Sequence, residues 1–434
     1  MAKNKKQTKK INWKVVAVIF SVVLVCVIAA IPLSHYVVKN RTYISIDEEK
    51  VSRLKYEYFF HGTRLEYEDM YMTLMAGMGM NMGNETEFTN MTLNTDSEMK
   101  DAVDQATVNE LVNNIALLTV AKEEGFSYDA RAELAGLMKR ITHNAEEAEV
   151  SVKEYVKNNY GTYASTEGIS DFFKEEIEAA AFYDYKKEQF APTQEQLQEY
   201  YEAHKEELAL FDLRMTVVKA DTLKKADDLQ AVLKEAEANI WTEGILYEGV
   251  GMNGLNTVIA EWMQNPDRKA NDSTVVKNPE KEIYYVLGFI DCYPDISLTA
   301  DIRILKTDDS NSDKLLELWK QGEATEESFA ELCMIYSEDV AATKGGFKEA
   351  VTQNTYDKNM EAWIFSEERM PGDSTAMISA DGYGYVLYYV RQNECAWKVN
   401  VKNKIVSEKM AAFMDGITAD IEVKDAKNKL KYDD

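Results

Sequence analysis

The chain has 434 residues, 45% hydrophobic and 29% charged, an ordinary globular composition with length for two to four domains. Its formal charge of −26 is unevenly spread: residues 1–41 hold eight Lys/Arg and no acid, so the remaining 41 basic residues face all 75 acids. Such an acidic body argues against a nucleic-acid partner, because phosphate contacts need clustered cations. Four cysteines (Cys26, Cys292, Cys333, Cys395) without a CxxC pair exclude a disulfide-dense framework and read as small buried hydrophobes.

Residues Val15 to Ile31 are apolar apart from Ser21, and the run continues weakly to Val38. About 20 such residues cross a bilayer as a helix. The Lys-rich flank before them places residues 1–14 in the cytoplasm, the span at 15–38 and the rest of the chain outside, in the cell membrane as a single pass. A cleaved signal peptide competes, but Pro32-Leu33-Ser34 is a poor cleavage site. A lipoprotein competes less well, since Val25 precedes Cys26.

From Asp47 to about Leu208 the pattern is helical. Val108, Leu111, Val112, Ile115 and Leu118 recur at three- and four-residue spacing, and Gly125 supplies a stop. Ser127 is placed to cap the next helix. Ser151 and Glu154 form a capping-box pattern opening a short helix that Gly161 ends, and another helix covers about 167–190. Thr193 with Gln196 opens a further one, running to about Leu208. Met70 to Met99 holds eight of the nineteen methionines and three glycines with little periodicity. It reads as an irregular loop with Met gap-fillers, as an adaptable client-binding surface, or as a thioether site for Cu(I).

After residue 210 the alternation changes to period two, with strands expected at Leu213–Lys219, Glu282–Ile290, Ile302–Lys306 and Tyr385–Val390. Two segments there resemble each other: EWMQNPDRKANDST from Glu261 and AWIFSEERMPGDST from Ala362. Trp262 and Trp363 correspond, as do Asp272-Ser273-Thr274 and Asp373-Ser374-Thr375. Each unit opens with a strand (DLRMTVV at Asp212, DIRILK at Asp301) and closes with one. The plan is a duplication.

The second unit resembles the parvulin family of peptidyl-prolyl isomerases. The residues that carry the resemblance are DIRILK (301–306), ESFAELCMIYSED (327–339), Gly345-Gly346, AWIFSEERMPGDST and DGYGYVLYYV. The first unit looks like a shortened copy. The helical region, through VNELVNNIALLTVAKEEGF (108–126), VKEYVKNNYG (152–161) and PTQEQLQEYYEAHKEEL (192–208), is similar to the chaperone region of SurA- and PrsA-type foldases. In those families a C-terminal helix returns to the N-terminal ones, and 403–425 has suitable apolar spacing. The resemblance implies an α+β multidomain fold: a transmembrane helix, a helical domain at 42–208 completed by 403–425, and two tandem parvulin-like α+β domains at 210–296 and 298–396.

For the site, the resemblance puts Arg303 where the family has its first active-site histidine and Gly384 where the second stands. Asp339 and Ser379 match polar active-site positions, with Asp339 also readable as an ordinary turn carboxylate. Tyr356 and Met360 match residues that line the proline pocket and Phe365 matches the closing Phe, so the three either make a pocket for apolar or proline-containing peptide or are plain core packing. Lys348 replaces an apolar pocket residue. The four histidines are His35, His61, His143 and His204, so 212–396 has none, and isomerase activity is expected to be weak or lost. Nothing suggests a cofactor or a metal. The expected function is an extracytoplasmic foldase or chaperone for unfolded, newly exported polypeptides. A non-enzymatic scaffold for envelope or surface assembly is the alternative.

Overall fold

The computed structural model describes residues 36–77, 98–220, 226–308, 310–380 and 382–424. These fall into two compact units, one drawn from residues 1–185 and 412–434, the other from 186–411. Val15–Ile31, most of the expected span and most of the Met-rich segment lie outside the described residues. Among those described, no helix is long and apolar enough to cross a membrane.

The stretch from residue 42 does not open as a helix. Thr42–Ile46 (β1) and Glu49–Ser52 (β2) pair antiparallel, turning at Asp47 with φ 50°, and Val423–Lys424 (β11) adds a third strand. This corrects the all-helical expectation for 42–208. The alternation in Tyr43-Ile44-Ser45-Ile46 is the period-two signal, too short to stand out beside the helices that follow. The helices are Arg53–Gly77 (α1), Glu98–Glu123 (α2), Arg131–Glu147 (α3), Val152–Tyr160 (α4) and Thr166–Gln189 (α5). Met70–Gly77 therefore finishes a helix instead of lying in a loop. Gly125 (φ 71°) follows the end of α2, and Gly161 (φ 104°) ends α4 with Ser151 capping its start, as the sequence predicts. Ser127 caps nothing; α3 starts after Ala130, which offers no side-chain cap. The core gathers Ile44, Ile46, Phe59, Phe60 and Leu111.

The last helix among the described residues, Ala396–Thr418 (α14), is earlier than the expected 403–425, because Val423–Lys424 is drawn into the β1 sheet. Its Phe413, Met414 and Ile417 pack with Leu117, Ala121 and Phe182 in the first unit. In the second unit, its Val401 and Ile405 pack with Leu197 and Tyr201. Leu197 and Tyr201 come from Gln194–Ala203 (α6), whose start carries the full Thr193/Gln196 capping box. Lys205–Leu208 (α7) follows.

The second unit holds two four-stranded antiparallel sheets of identical plan. Leu210–Lys219 (β3), Ile245–Gly251 (β4), Ser273–Lys277 (β5) and Ile283–Tyr293 (β6) run in the order β4-β3-β6-β5. Leu298–Thr307 (β7), Phe347–Val351 (β8), Ser374–Ile378 (β9) and Gly384–Cys395 (β10) run β8-β7-β10-β9. Between the first two strands the first sheet has Ala226–Ala238 (α8) and Ile240–Glu243 (α9). The second has Ser312–Gln321 (α11), Glu326–Tyr336 (α12) and a 3-10 turn at Val340–Lys344. Thr257–Met263 (α10) and Lys358–Ile364 (α13) close each plan on the opposite face.

The likeness reaches individual hydrogen bonds. Arg268 donates to the Trp262 carbonyl at 3.0 Å and Arg369 to the Trp363 carbonyl at 2.9 Å, each guanidinium 4.0 Å from the ring centre of the same tryptophan. Asp272 and Asp373 accept the amides of Lys269 and Met370, both at 3.0 Å. Asp212 and Asp301 sit where the ladder register slips on both flanking strands. Such bulges strip backbone groups of their partners. Oδ1 of Asp212 accepts the Gly249 amide and Oδ1 of Asp301 the Ala350 amide, both at 2.8 Å, and Gly249 and Ala350 share positive φ.

Candidate functional site

Alternation along β7 decides which candidates can meet. Ile302 and Ile304 face a cluster of Met360, Ile364, Tyr385, Leu387 and Tyr389, with Tyr356, Trp363, Phe365 and Met377 half-buried beside them. Arg303 lies between those isoleucines and points to the other face, that of Leu305, Trp319 and Phe329. There it pairs with Glu326 at 3.0 Å, donates to the Gly345 carbonyl at 2.9 Å and stacks on Phe347. Arg303 therefore does not share a site with Tyr356, Met360 and Phe365, which corrects its assignment as a catalytic candidate. The first sheet explains its role: Arg214, in the matching register position, donates to the Gly244 carbonyl at 2.7 Å. Both arginines pin the turn that leads into the edge strand.

Asp339, Lys348 and Tyr356 do come together on the Ile302 face. Asp339 caps the 3-10 turn, accepting the Ala341 amide at 2.7 Å, and holds the Lys348 ammonium at 2.8 Å. Lys348 stands across from Ile302 on β8, which puts it on this face. Burial, and then the Asp339 charge, push the Tyr356 phenol up to about 12, so it keeps its proton at neutral pH. Ser379 donates to Asp357, whose carboxylate also accepts the Asn359 and Met360 amides at the start of α13. Those bonds, the Ser379 one foremost, hold Asp357 below the usual carboxylate range. Ser379 thus ties the end of β9 to the helix that carries Met360; it touches no open site. Met360 is 1% exposed, as core packing requires. Tyr356 and Phe365 remain at the half-buried margin, and Val340, next to Asp339 in the chain, is 88% exposed.

This corner can offer an apolar rim with a phenol and an ammonium as hydrogen-bond donors. Among the described residues, Asp339 is engaged on both counts, and the Cys333 thiol lies buried on the other face, where burial pushes its pKa up. Among the described residues no group of three or more His, Cys, Asp or Glu is arranged to hold a metal. A cleft of about 190 Å³ elsewhere, lined by Pro192, Leu197, Glu349, Glu394, Lys398 and Lys402, has its two lysines already paired with those glutamates.

Gly384 explains why a histidine is missing there. A Cβ on it would come within 2.5 Å of the Asp308 carbonyl oxygen and 2.9 Å of Ser312 Cβ. We expect Gly384→His to lose several kcal/mol of stability, on the order of an overpacked core site or more, with no gain of isomerase activity. Urea unfolding alongside a proline-limited refolding assay checks both; a stable variant with new activity would reverse this reading of the position.

No protein-family model matches the chain, and no curated protein does. Several solved structures are similar to it. The peptidylprolyl isomerase PrsA of Bacillus anthracis is 10% identical, with 71% of this chain and 94% of that one covered and a TM-score of 0.21. PrsA of Bacillus subtilis is 11% identical, with 74% and 85% covered and a TM-score of 0.26. A structure from work on two SurA-like chaperones of Campylobacter jejuni is 8% identical, with 89% and 98% covered and a TM-score of 0.22.

Proposed function

We propose that the chain is a folding helper of parvulin type, an extracytoplasmic, membrane-anchored foldase or chaperone that holds unfolded, newly exported polypeptides. Its parvulin-like domains serve as binding modules with weak or no isomerase activity. The observation that carries this is the pairing of Arg214 and Arg303. Both copies of the plan use the position for the same structural hydrogen bond, on the face away from Tyr356 and Phe365. Turning an X–Pro bond requires groups that favour the twisted amide over the planar one. In the second domain the Tyr356 and Lys348 donors stand near the apolar rim. The basic segment and apolar run before Val38 support the anchored, outward-facing topology.

The full-length chain in mild detergent is expected to suppress aggregation of reduced lysozyme at equimolar ratio without ATP. In a proline-limited refolding assay it is expected to accelerate the slow phase by less than about twofold, against an uncatalysed exchange of tens of seconds. Failure to suppress aggregation even at molar excess would sink the chaperone reading. Strong acceleration lost in Tyr356→Phe or Lys348→Ala would replace it with a working isomerase.

A further inference from the structure

The first domain repeats the candidate face of the second with its charges taken away. Lys348 stands across from Ile302 on β8; the residue across from the matching Leu213 on β4 is Tyr247. Lys306 faces Tyr385; the residue facing the matching Tyr285 is Val217. Val217, Tyr247 and Ile245 share one face by strand alternation, and they are 46%, 36% and 63% exposed. Met215, half-buried between them, continues the patch inward to Phe289 and Met263.

That patch borders an open sheet edge. β4 is the terminal strand of its sheet, and Ile245 to Gly249 are all exposed, Leu246 on the opposite face included. Edge strands are normally protected by lysine, proline or cover, because their outer backbone groups template another strand. β4 contains neither Lys nor Pro, whereas β8, its counterpart, carries Lys348 and keeps Phe347 half-buried under Arg303. The surroundings also have a sign. From Glu235 to Asp267 there is no Lys or Arg, while the exposed Glu243 and Glu248 bracket Ile245-Leu246-Tyr247.

We propose that β4 captures an extended, apolar stretch of client polypeptide flanked by basic residues, taking it as a fifth strand of the first sheet. Backbone hydrogen bonds along the edge give sequence-tolerant affinity, alternate client side chains cover Val217, Ile245 and Tyr247, and the two glutamates select the flanks. This rests on the folding-helper reading and names the segment class it holds.

The test uses the full-length chain in mild detergent and a fluorescein-labelled peptide of alternating Val and Thr with paired Lys at each end. The double variant Ile245→Lys/Tyr247→Lys alters exposed side chains only, so its thermal melt should match that of the unsubstituted chain. We expect it to bind the peptide about tenfold more weakly. The same peptide N-methylated at alternate residues should bind the unsubstituted chain equally poorly. Binding should weaken with salt, and the amides of 245–250 should gain hydrogen-exchange protection when peptide is added. Equal peptide affinity in the double variant, while the unsubstituted chain still protects reduced lysozyme, overturns the β4 proposal and leaves the folding-helper reading standing. Peptide binding at β4 without any protection of lysozyme overturns the folding-helper reading alone. Self-association of the chain that the same lysines abolish would give the edge to a second copy and overturn the client proposal.

Discussion

Replacing Asp301 with alanine is expected to cost about 3 kcal/mol of unfolding free energy, the lower end of what removing one partner from a buried charged network does. Asp301 is 0% exposed and answers the Ala350 amide, Asn393 Nδ2 at 2.6 Å and Arg391 Nε at 2.7 Å. Without the carboxylate, the amide freed by the paired bulges has no acceptor, while Arg391, 63% exposed, turns to water. Asp212→Ala should cost less, about 1–2 kcal/mol, because Asp212 is only half-buried and meets Gly249 and Tyr293 without a cation. Urea unfolding of the full chain measures both. Equal losses for the two variants, or none at Asp301, would refute the bulge argument.

The second large effect concerns pH and the helical unit. Tyr58 donates to Glu176, and burial foremost, with Glu110 and Glu175 nearby, pushes the Glu176 carboxyl up to about 8. In the unfolded chain this group ionises near its ordinary value of 4.5. The folded state therefore binds the extra proton between those pH values, and stability falls as pH rises from about 4.5 to 8. Glu176 as a residue is only half-buried, so solvent screening brings the loss to about 2 kcal/mol rather than the full linkage value. Glu176→Gln mimics the protonated acid. It should unfold several degrees higher than the unsubstituted chain at pH 9 and match it at pH 5. A variant that melts lower at pH 9 would show that the ionised carboxylate is the stabilising form. On the acid side His61 acts oppositely. Burial lowers its pKa to about 4, so its contribution is present above its ordinary 6.5 and is lost as pH falls toward 4.

The duplicated plan was legible because it is written twice, in D-[L/I]-R openings and in Trp-bearing helices and D-S-T turns that recur together at a shift of 101 residues. The central strands β3, β6, β7 and β10 followed from period, with Thr193, Gly125 and Gly161 behaving as their chemistry requires, whereas the shorter edge strands β4, β5, β8 and β9 escaped. The short hairpin at 42–52 escaped because its alternation spans only a few residues, and β11 because two residues carry no period. Arg303 was misplaced for a sharper reason. A family correspondence assigns a position along a strand, whereas the face is set by parity, and Ile302 and Ile304 already claimed the pocket side. Met360 belongs to that cluster, and sequence cannot separate a pocket wall from a core residue 1% exposed. The β4 surface was invisible because Tyr247 and Val217 become meaningful only when register sets them against Lys348 and Lys306.

Two tandem domains with the same strand order run a particular risk while folding, namely that one borrows its neighbour's central strand. Opposite Arg214 the first sheet has Gly288, with the Trp241 ring where a side chain would begin, 2.8 Å from any Cβ. Opposite Arg303 the second sheet has Tyr388, wedged edge-on against Trp319 and tilted against Phe329. Exchanging β6 and β10 would drive the tyrosine into an indole in one domain and leave a ring-sized void in the other. The two repeats thus carry mismatched keys, and each accepts only its own strand.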